Sequence, residues 1–324
     1  MDIGSLMAQY PIISSLFVLA ASLAILIKSA DLAVVGISKY AHKFGISDFV
    51  IGFIVLAIGT SLPEFVSSVM GGLAQQGGIV FGTMLGSGVL SITAVLGILA
   101  IYSGRMTVED KMLGKSKNYL MLLPILPLIL VIDGTLSRID GFILIAVYLA
   151  YLAWLWYTQG TLGQLKKDVK FEKFWEDAVI FVGALAALLL SARWLVFSSI
   201  NLAQSMHVSP FFIAMTVIAI GASLPDLTVE LKSIRSGHAR IGFGNLLGGI
   251  ITTMLLMLGM VAVLMPIQIA VSTIYVTGIF FVVSYVFVLW FTRDGTITRK
   301  EGFVLLGLYL LLIALQLLKE FGLI

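Results

Sequence analysis

Cysteine is absent from this chain, which removes disulfides, thiolate metal sites and thiol nucleophiles together. Histidine is scarce: His42, His207 and His238 are the only three, and each is read as a solvated residue near a loop. Charge is also sparse. Only 11% of the 324 residues are charged, where a soluble domain carries roughly 25%. With 60% hydrophobic residues and a mean hydropathy of +1.09, too little polar surface exists to cover a globule in water. A lipid bilayer is the solvent that fits, and the 32 glycines suit closely packed membrane helices. The formal charge of +3 does not indicate nucleic acid, because the basic residues sit in short loops between apolar runs. No phosphate loop, His-rich metal motif or nucleophile triad is present, so no enzyme and no cofactor are expected.

The apolar runs are long enough for spans of about 20 residues. Ten are expected, at 12–37, 47–73, 79–103, 118–133, 139–157, 177–201, 209–232, 241–264, 269–291 and 302–320. The first is too long, and too uncharged at its start, for a cleaved signal. With the N-terminus outside, sixteen basic residues fall in cytoplasmic loops, among them Lys39, Arg105, Lys166, Lys232, Arg235 and Arg240. Only Arg138 and Lys319 fall outside. This positive-inside bias predicts an all-α integral membrane protein with both termini outside.

The sequence repeats itself at an offset of 162. Gly59-Thr60-Ser61-Leu62-Pro63-Glu64 returns as Gly221-Ala222-Ser223-Leu224-Pro225-Asp226, and Gly82-Thr83-Met84-Leu85-Gly86 as Gly244-Asn245-Leu246-Leu247-Gly248. Five spans per half is odd, so residues 163–324 enter the membrane from the side opposite to residues 1–162. The expected architecture is a single membrane domain of two inverted five-helix repeats, with its site where the halves meet near the midplane. A duplicated membrane protein that does not transport is the alternative.

Carboxylates are costly inside a span. Asp31, Glu64, Asp226 and Glu230 lie there, and Glu64 and Asp226 occupy equivalent repeat positions. Brought face to face, they need a cation or protons between them. Oxygen-only ligation suits hard cations such as Ca²⁺, Na⁺ or Mg²⁺. Pro63 and Pro225 break the helix ahead of each acid, and carbonyls around 57–60 and 219–222 are expected to be freed. With Ser61 and Ser223 they complete an oxygen cage; a kink relieved by neighbouring helices is the plain alternative. Glu230, four residues after Asp226, shares its helix face. It either extends a cation path or pairs with Lys232 or Arg235. Asp31 and Arg193 hold corresponding positions in spans one and six, where a pair is conceivable, and Lys28 is expected to snorkel. The Gly82/Gly86 and Gly244/Gly248 pairs allow close approach to the broken helices.

These motifs resemble the α-repeats of the sodium/calcium exchangers of the cation/calcium antiporter superfamily, especially the short prokaryotic ten-helix members, over nearly the whole chain. The resemblance implies alternating-access antiport of Ca²⁺ against Na⁺ in a prokaryotic plasma membrane, by a chain expected to be a monomer. It implies Glu64 and Asp226 as Ca²⁺ ligands, with carbonyls of Thr60 and Ala222, and Ser61, Ser223 and Ser87 as Na⁺ ligands. The sequence also departs from the pattern. Asp226 stands where Glu is usual, Ala222 replaces Thr, and Gly249 replaces the second-half serine. Ser91 and Thr253 stand where the family has Asn or Asp and count as additional candidates. Glu230 is an extra acid, also a candidate. Several oxygen ligands are therefore missing, mostly from the second half. H⁺-coupled exchange and a degenerate, non-transporting scaffold or ion sensor are the alternatives.

Overall fold

The computed structural model describes residues 11–43, 61–107, 122–159, 174–235 and 239–323. The described residues are helical almost throughout. Helix α1 (Pro11–Lys43) is followed by α2 (Leu62–Leu73) and α3 (Gly77–Leu90), which runs through a π turn at Ser91–Val95 into α4 (Leu96–Ser103). A short ribbon strand β1 (Arg105–Thr107) precedes a brief helical stretch around α5 (Leu126–Leu130), then β2 (Thr135–Leu136) and α6 (Arg138–Gln159). Helix α7 (Phe174–Met206) begins a second series. It continues through α8 (Pro210–Ile213), a π turn, α9 (Ala219–Ala222), α10 (Leu224–Arg235) and α11 (Ala239–Ile251). A π turn at Thr252–Met257 leads to α12 (Leu258–Leu264), β3 (Ile267–Gln268), α13 (Val271–Phe291), β4 (Thr296–Thr298) and α14 (Arg299–Glu320).

Among the described residues, seven helical stretches are long and apolar enough to cross a membrane. Their burial separates centre from rim. The stretch Gly77–Ser103 is 89% buried, whereas Pro11–Leu32 and Arg299–Glu320 are each 28% buried. The outer helices turn large apolar side chains such as Phe17, Phe303 and Leu310 outward, a surface that lipid rather than water tolerates. The expected span at 118–133 is shorter than predicted within the described residues. Leu123–Asp133 is a brief helix of mixed 3₁₀ and α turns, carrying Pro124 and Pro127. Much of the expected span at 47–73 lies outside the described residues.

The two ribbons tie the halves together. In β1–β4, Arg105 faces Thr298 and Met106 faces Ile297; in β2–β3, Leu136 faces Ile267 and Thr135 faces Gln268. Shifting one ribbon by the repeat offset, with its partners exchanged, reproduces the register of the other. Helix contacts follow the same rule. A Cβ on Gly97 would lie 2.7 Å from the Gly302 carbonyl oxygen, and one on Gly141 would lie 2.7 Å from that of Gly259. Each pair joins a π-turn helix of one series to the final helix of a five-span set in the other. Helices α1 and α7, both 33 residues long, pack against each other.

Candidate functional site

Each motif acid begins a helix. Ser61 (φ −86°, ψ 0°) and Ser223 (φ −85°, ψ −3°) hold nearly the same backbone conformation just before α2 and α10. Each is followed by Leu-Pro, and proline is tolerated in a first turn because its missing N–H has no helical partner there. Glu64 and Asp226 then fall in first turns, where the helix dipole favours negative charge. The break in the second half is only one residue wide. The Ser223 N–H donates to the Ala219 carbonyl at 3.1 Å, so the expectation that all carbonyls of 219–222 are freed is corrected for Ala219. The counterpart carbonyls at 57–60, Thr60 included, lie outside the described residues. Ala222 is fully buried directly ahead of Ser223.

Hydroxyls of both halves meet at these acids. Ser87 donates to Glu64 Oε1 at 3.1 Å, and its hydroxyl also lies 3.0 Å from that of Ser223. Thr253 donates to Ser61 Oγ at 3.0 Å. Glu64 is 1% exposed, and its Oε2 is buried with no hydrogen-bond partner among the described residues. A buried, unsatisfied carboxylate oxygen calls for an explanation, and a cation is one its chemistry fits. Asp226 is within electrostatic reach of Glu64.

A small cavity adjoins this cluster, lined by Ser87, Ser91, Asp226, Glu230, Gly249 and Thr253 with Gly88, Val95, Leu246 and Ile250. Glu64 and Glu230 are the only charged residues in the buried class among those described. Glu230, left open by sequence between a cation path and a helix-end pair, lines the cavity. The described residues contain no group of three His, Cys, Asp or Glu close enough to hold a metal ion. A bound cation would therefore draw on hydroxyl or carbonyl oxygens as well as carboxylates. Close packing backs the cluster: a Cβ on Gly82 would meet the Phe211 carbonyl oxygen at 2.6 Å, and one on Gly86 the Met215 Cα at 2.8 Å. This is the expected approach of span three to the broken helix of the other half.

Some candidates lie elsewhere. Asp31 lies 4.0 Å from Lys28 on its own helix, both side chains being largely exposed, rather than pairing with Arg193. His207 is exposed at the end of α7, with φ 56°. His42 lies in α1, and His238 falls outside the described residues. Sequence reasoning missed Gly88, Val95, Leu246 and Ile250 as cavity lining, and all three π turns. The motif pairing was visible, but the turns that aim Ser91 and Thr253 inward have no local signature.

The family model described as "Sodium/calcium exchanger protein" matches residues 14–157 and 177–318, most of the chain in two stretches. Sodium/calcium exchanger MaX1 of Methanosarcina acetivorans is 26% identical, covering 90% of this chain and 95% of that protein. Inner membrane protein YrbG of Escherichia coli is 30% identical, covering 92% and 95%. Among solved structures, the sodium-calcium exchanger NCX_Mj soaked with Na⁺ and Sr²⁺ is similar at TM-score 0.62 and 29% identity, covering 94% of this chain and 99% of that one. An H⁺/Ca²⁺ exchanger, CAX, shares the fold at TM-score 0.73 with 14% identity, covering 95% and 87%. Repeated motifs, helical membrane fold and full-length similarity agree: the chain belongs to the sodium/calcium exchanger protein family.

Proposed function

We propose that this chain is a secondary antiporter that exchanges Ca²⁺ for Na⁺ by alternating access between two inverted halves, residues 1–162 and 163–324. The observation that carries the reading is the buried junction at Glu64. One carboxylate from each half stands within electrostatic reach of the other, joined by hydroxyls of both halves, and one Glu64 oxygen has no hydrogen-bond partner among the described residues. A buried acid facing a half-buried one, with no adjacent cation, is unfavourable unless an ion or protons neutralise them. In this reading Glu64 and Asp226 hold Ca²⁺ with carbonyls of Thr60 and Ala222. Ser61, Ser223 and Ser87 serve Na⁺, and Ser91, Thr253 and Glu230 extend the path.

The loops predict the orientation. From Ser87 to Val95 the cavity wall leads toward Arg105; from Asp226 to Glu230 it leads toward Lys232 and Arg235; from Thr253 back to Leu246 it leads toward Arg240. All three directions end at the basic side, read as cytoplasmic. The cavity then belongs to the inward-facing half of the cycle, in a prokaryotic plasma membrane with both termini outside. A ligand moves that equilibrium only by binding its states differently.

A second reading is H⁺-coupled exchange. It is favoured by Gly249, which supplies no hydroxyl where the first half has Ser87. The test is flux in sealed proteoliposomes. Ca²⁺ uptake driven by an outward Na⁺ gradient supports the first reading, and uptake driven only by ΔpH supports the second. Absence of flux under any cation gradient overturns both and leaves a non-transporting sensor or scaffold.

A further inference from the structure

Three pairs of cavity-lining residues correspond under the repeat offset. Ser87 corresponds to Gly249, Gly88 to Ile250, and Ser91 to Thr253, and all six residues line the cavity. The acids break the correspondence. Asp226 and Glu230 line the cavity, while their counterparts Glu64 and Ser68 do not. Both counterparts are buried, and the Ser68 hydroxyl has no hydrogen-bond partner among the described residues. If the halves exchange conformations during transport, the opposite vestibule is lined by Glu64 and Ser68. One vestibule then carries two acids and the other carries one.

We propose that Glu230, with Asp226 and the hydroxyls of Ser91 and Thr253, forms a cation-recruiting subsite that exists only in the cytoplasmic vestibule. This rests on the antiport reading and on its orientation. Glu230 lies one helical turn beyond Asp226 on the same face, is 1% exposed, and lines the cavity. Ser91 lines the same cavity and is 7% exposed. Its hydroxyl is an oxygen ligand available to an ion. At Gly249 a Cβ would meet nothing within 4 Å, so the cavity also has room beside these oxygens. Carboxylates and hydroxyls without sulfur or imidazole select a hard cation. The subsite makes the exchanger asymmetric: a cation arriving from the cytoplasm meets a second carboxylate before the central site, and one arriving from outside does not.

The test is ⁴⁵Ca²⁺ exchange in right-side-out and inside-out membrane vesicles, read as the ratio of cytoplasmic to external KM. Glu230→Gln is expected to raise that ratio roughly ten-fold, the scale of one lost charged contact. Glu230→Asp is expected to restore part of it, and Ser91→Ala to raise it by a few-fold. A helix-end role would lower the amount of folded protein or the turnover and leave the ratio alone. An unchanged ratio in folded Glu230→Gln overturns the proposal. If that variant does not fold, an unchanged ratio in Ser91→Ala does so. Wild-type vesicles that move no cation would instead overturn the antiport reading itself.

Discussion

The two halves of this chain share a motif but not its surroundings. In the first, Glu64 is sealed, bonded to Ser87, and followed one turn later by a buried serine, Ser68. In the second, Asp226 is half-buried, lines a cavity, and is followed one turn later by Glu230. The paired ribbons keep one register in both places, so the backbone frame is held in common while the chemistry on it differs. In the proposed alternating-access cycle such a frame passes through mirrored conformations, and unequal side chains make the two unequal in affinity. That inequality is what allows an ion to bias the equilibrium between them.

The sharpest way to break the comparison is to remove its shared part. Glu64→Gln and Asp226→Asn are each expected to lower Ca²⁺ flux into proteoliposomes roughly ten- to a hundred-fold. Each removes one of the two carboxylates proposed to hold the ion, and a lost contact to a charged group costs about 1.5–3 kcal/mol. Equal losses would show that the sealed acid and the cavity acid serve one ion. Near-normal flux in either variant would separate them and end the central-site reading.

Next comes packing. Gly82→Val drives carbon into the Phe211 carbonyl and the Ala214 Cβ, 2.6 and 2.7 Å from where its own Cβ would stand. Overpacking of this kind costs about 1–3 kcal/mol, so the apparent Tm in detergent is expected to fall. Gly249→Ala meets open space and is expected to leave Tm unchanged. Equal melting of the two variants would contradict the description of one glycine as a helix contact and the other as a cavity wall.

How much of this could be read in advance differs by element. The apolar runs gave the membrane class, and the duplicated Ser-Leu-Pro-acid motif gave both carboxylates with their serines, because proline and buried charge have strong local consequences. The ribbons were hidden: two or three residues pairing with partners more than a hundred positions away carry no local pattern. The π turns at Ser91–Val95 and Thr252–Met257 were hidden as well, since each reads as ordinary apolar helix. They carry Ser91 and Thr253, so the sequence named those residues without showing how they reach the cavity. Glu230 stayed ambiguous because its face was legible but its neighbourhood was not.

A smaller effect probes the hydroxyl that only the first half supplies. Ser87→Ala removes contacts at 3.1 Å to Glu64 and 3.0 Å to Ser223. At about 0.5–1.5 kcal/mol per net hydrogen bond, the Na⁺ concentration for half-maximal exchange is expected to rise roughly three- to ten-fold. Adding Gly249→Ser restores one hydroxyl to the set from the opposite half and is expected to recover part of the loss. No change in Ser87→Ala would remove this serine from the Na⁺ pathway.

The smallest effect is expected at a contact between the halves that only the second-half π turn makes. Thr252 opens its π turn and donates its single hydroxyl proton to the Gly248 carbonyl at 2.8 Å. Tyr148, 3.2 Å away, must therefore be the donor to Thr252. The first-half counterpart of Thr252 is Leu90, which offers no such bond. Tyr148→Phe removes one donor and leaves the Thr252 proton satisfied, so the expected loss is at most about 1 kcal/mol. It should be visible as a slightly lower Tm with flux unchanged. The opposite pattern, normal Tm with flux reduced ten-fold, would mean that this hydrogen bond is remade during transport. The π turn of the second half would then be a moving part.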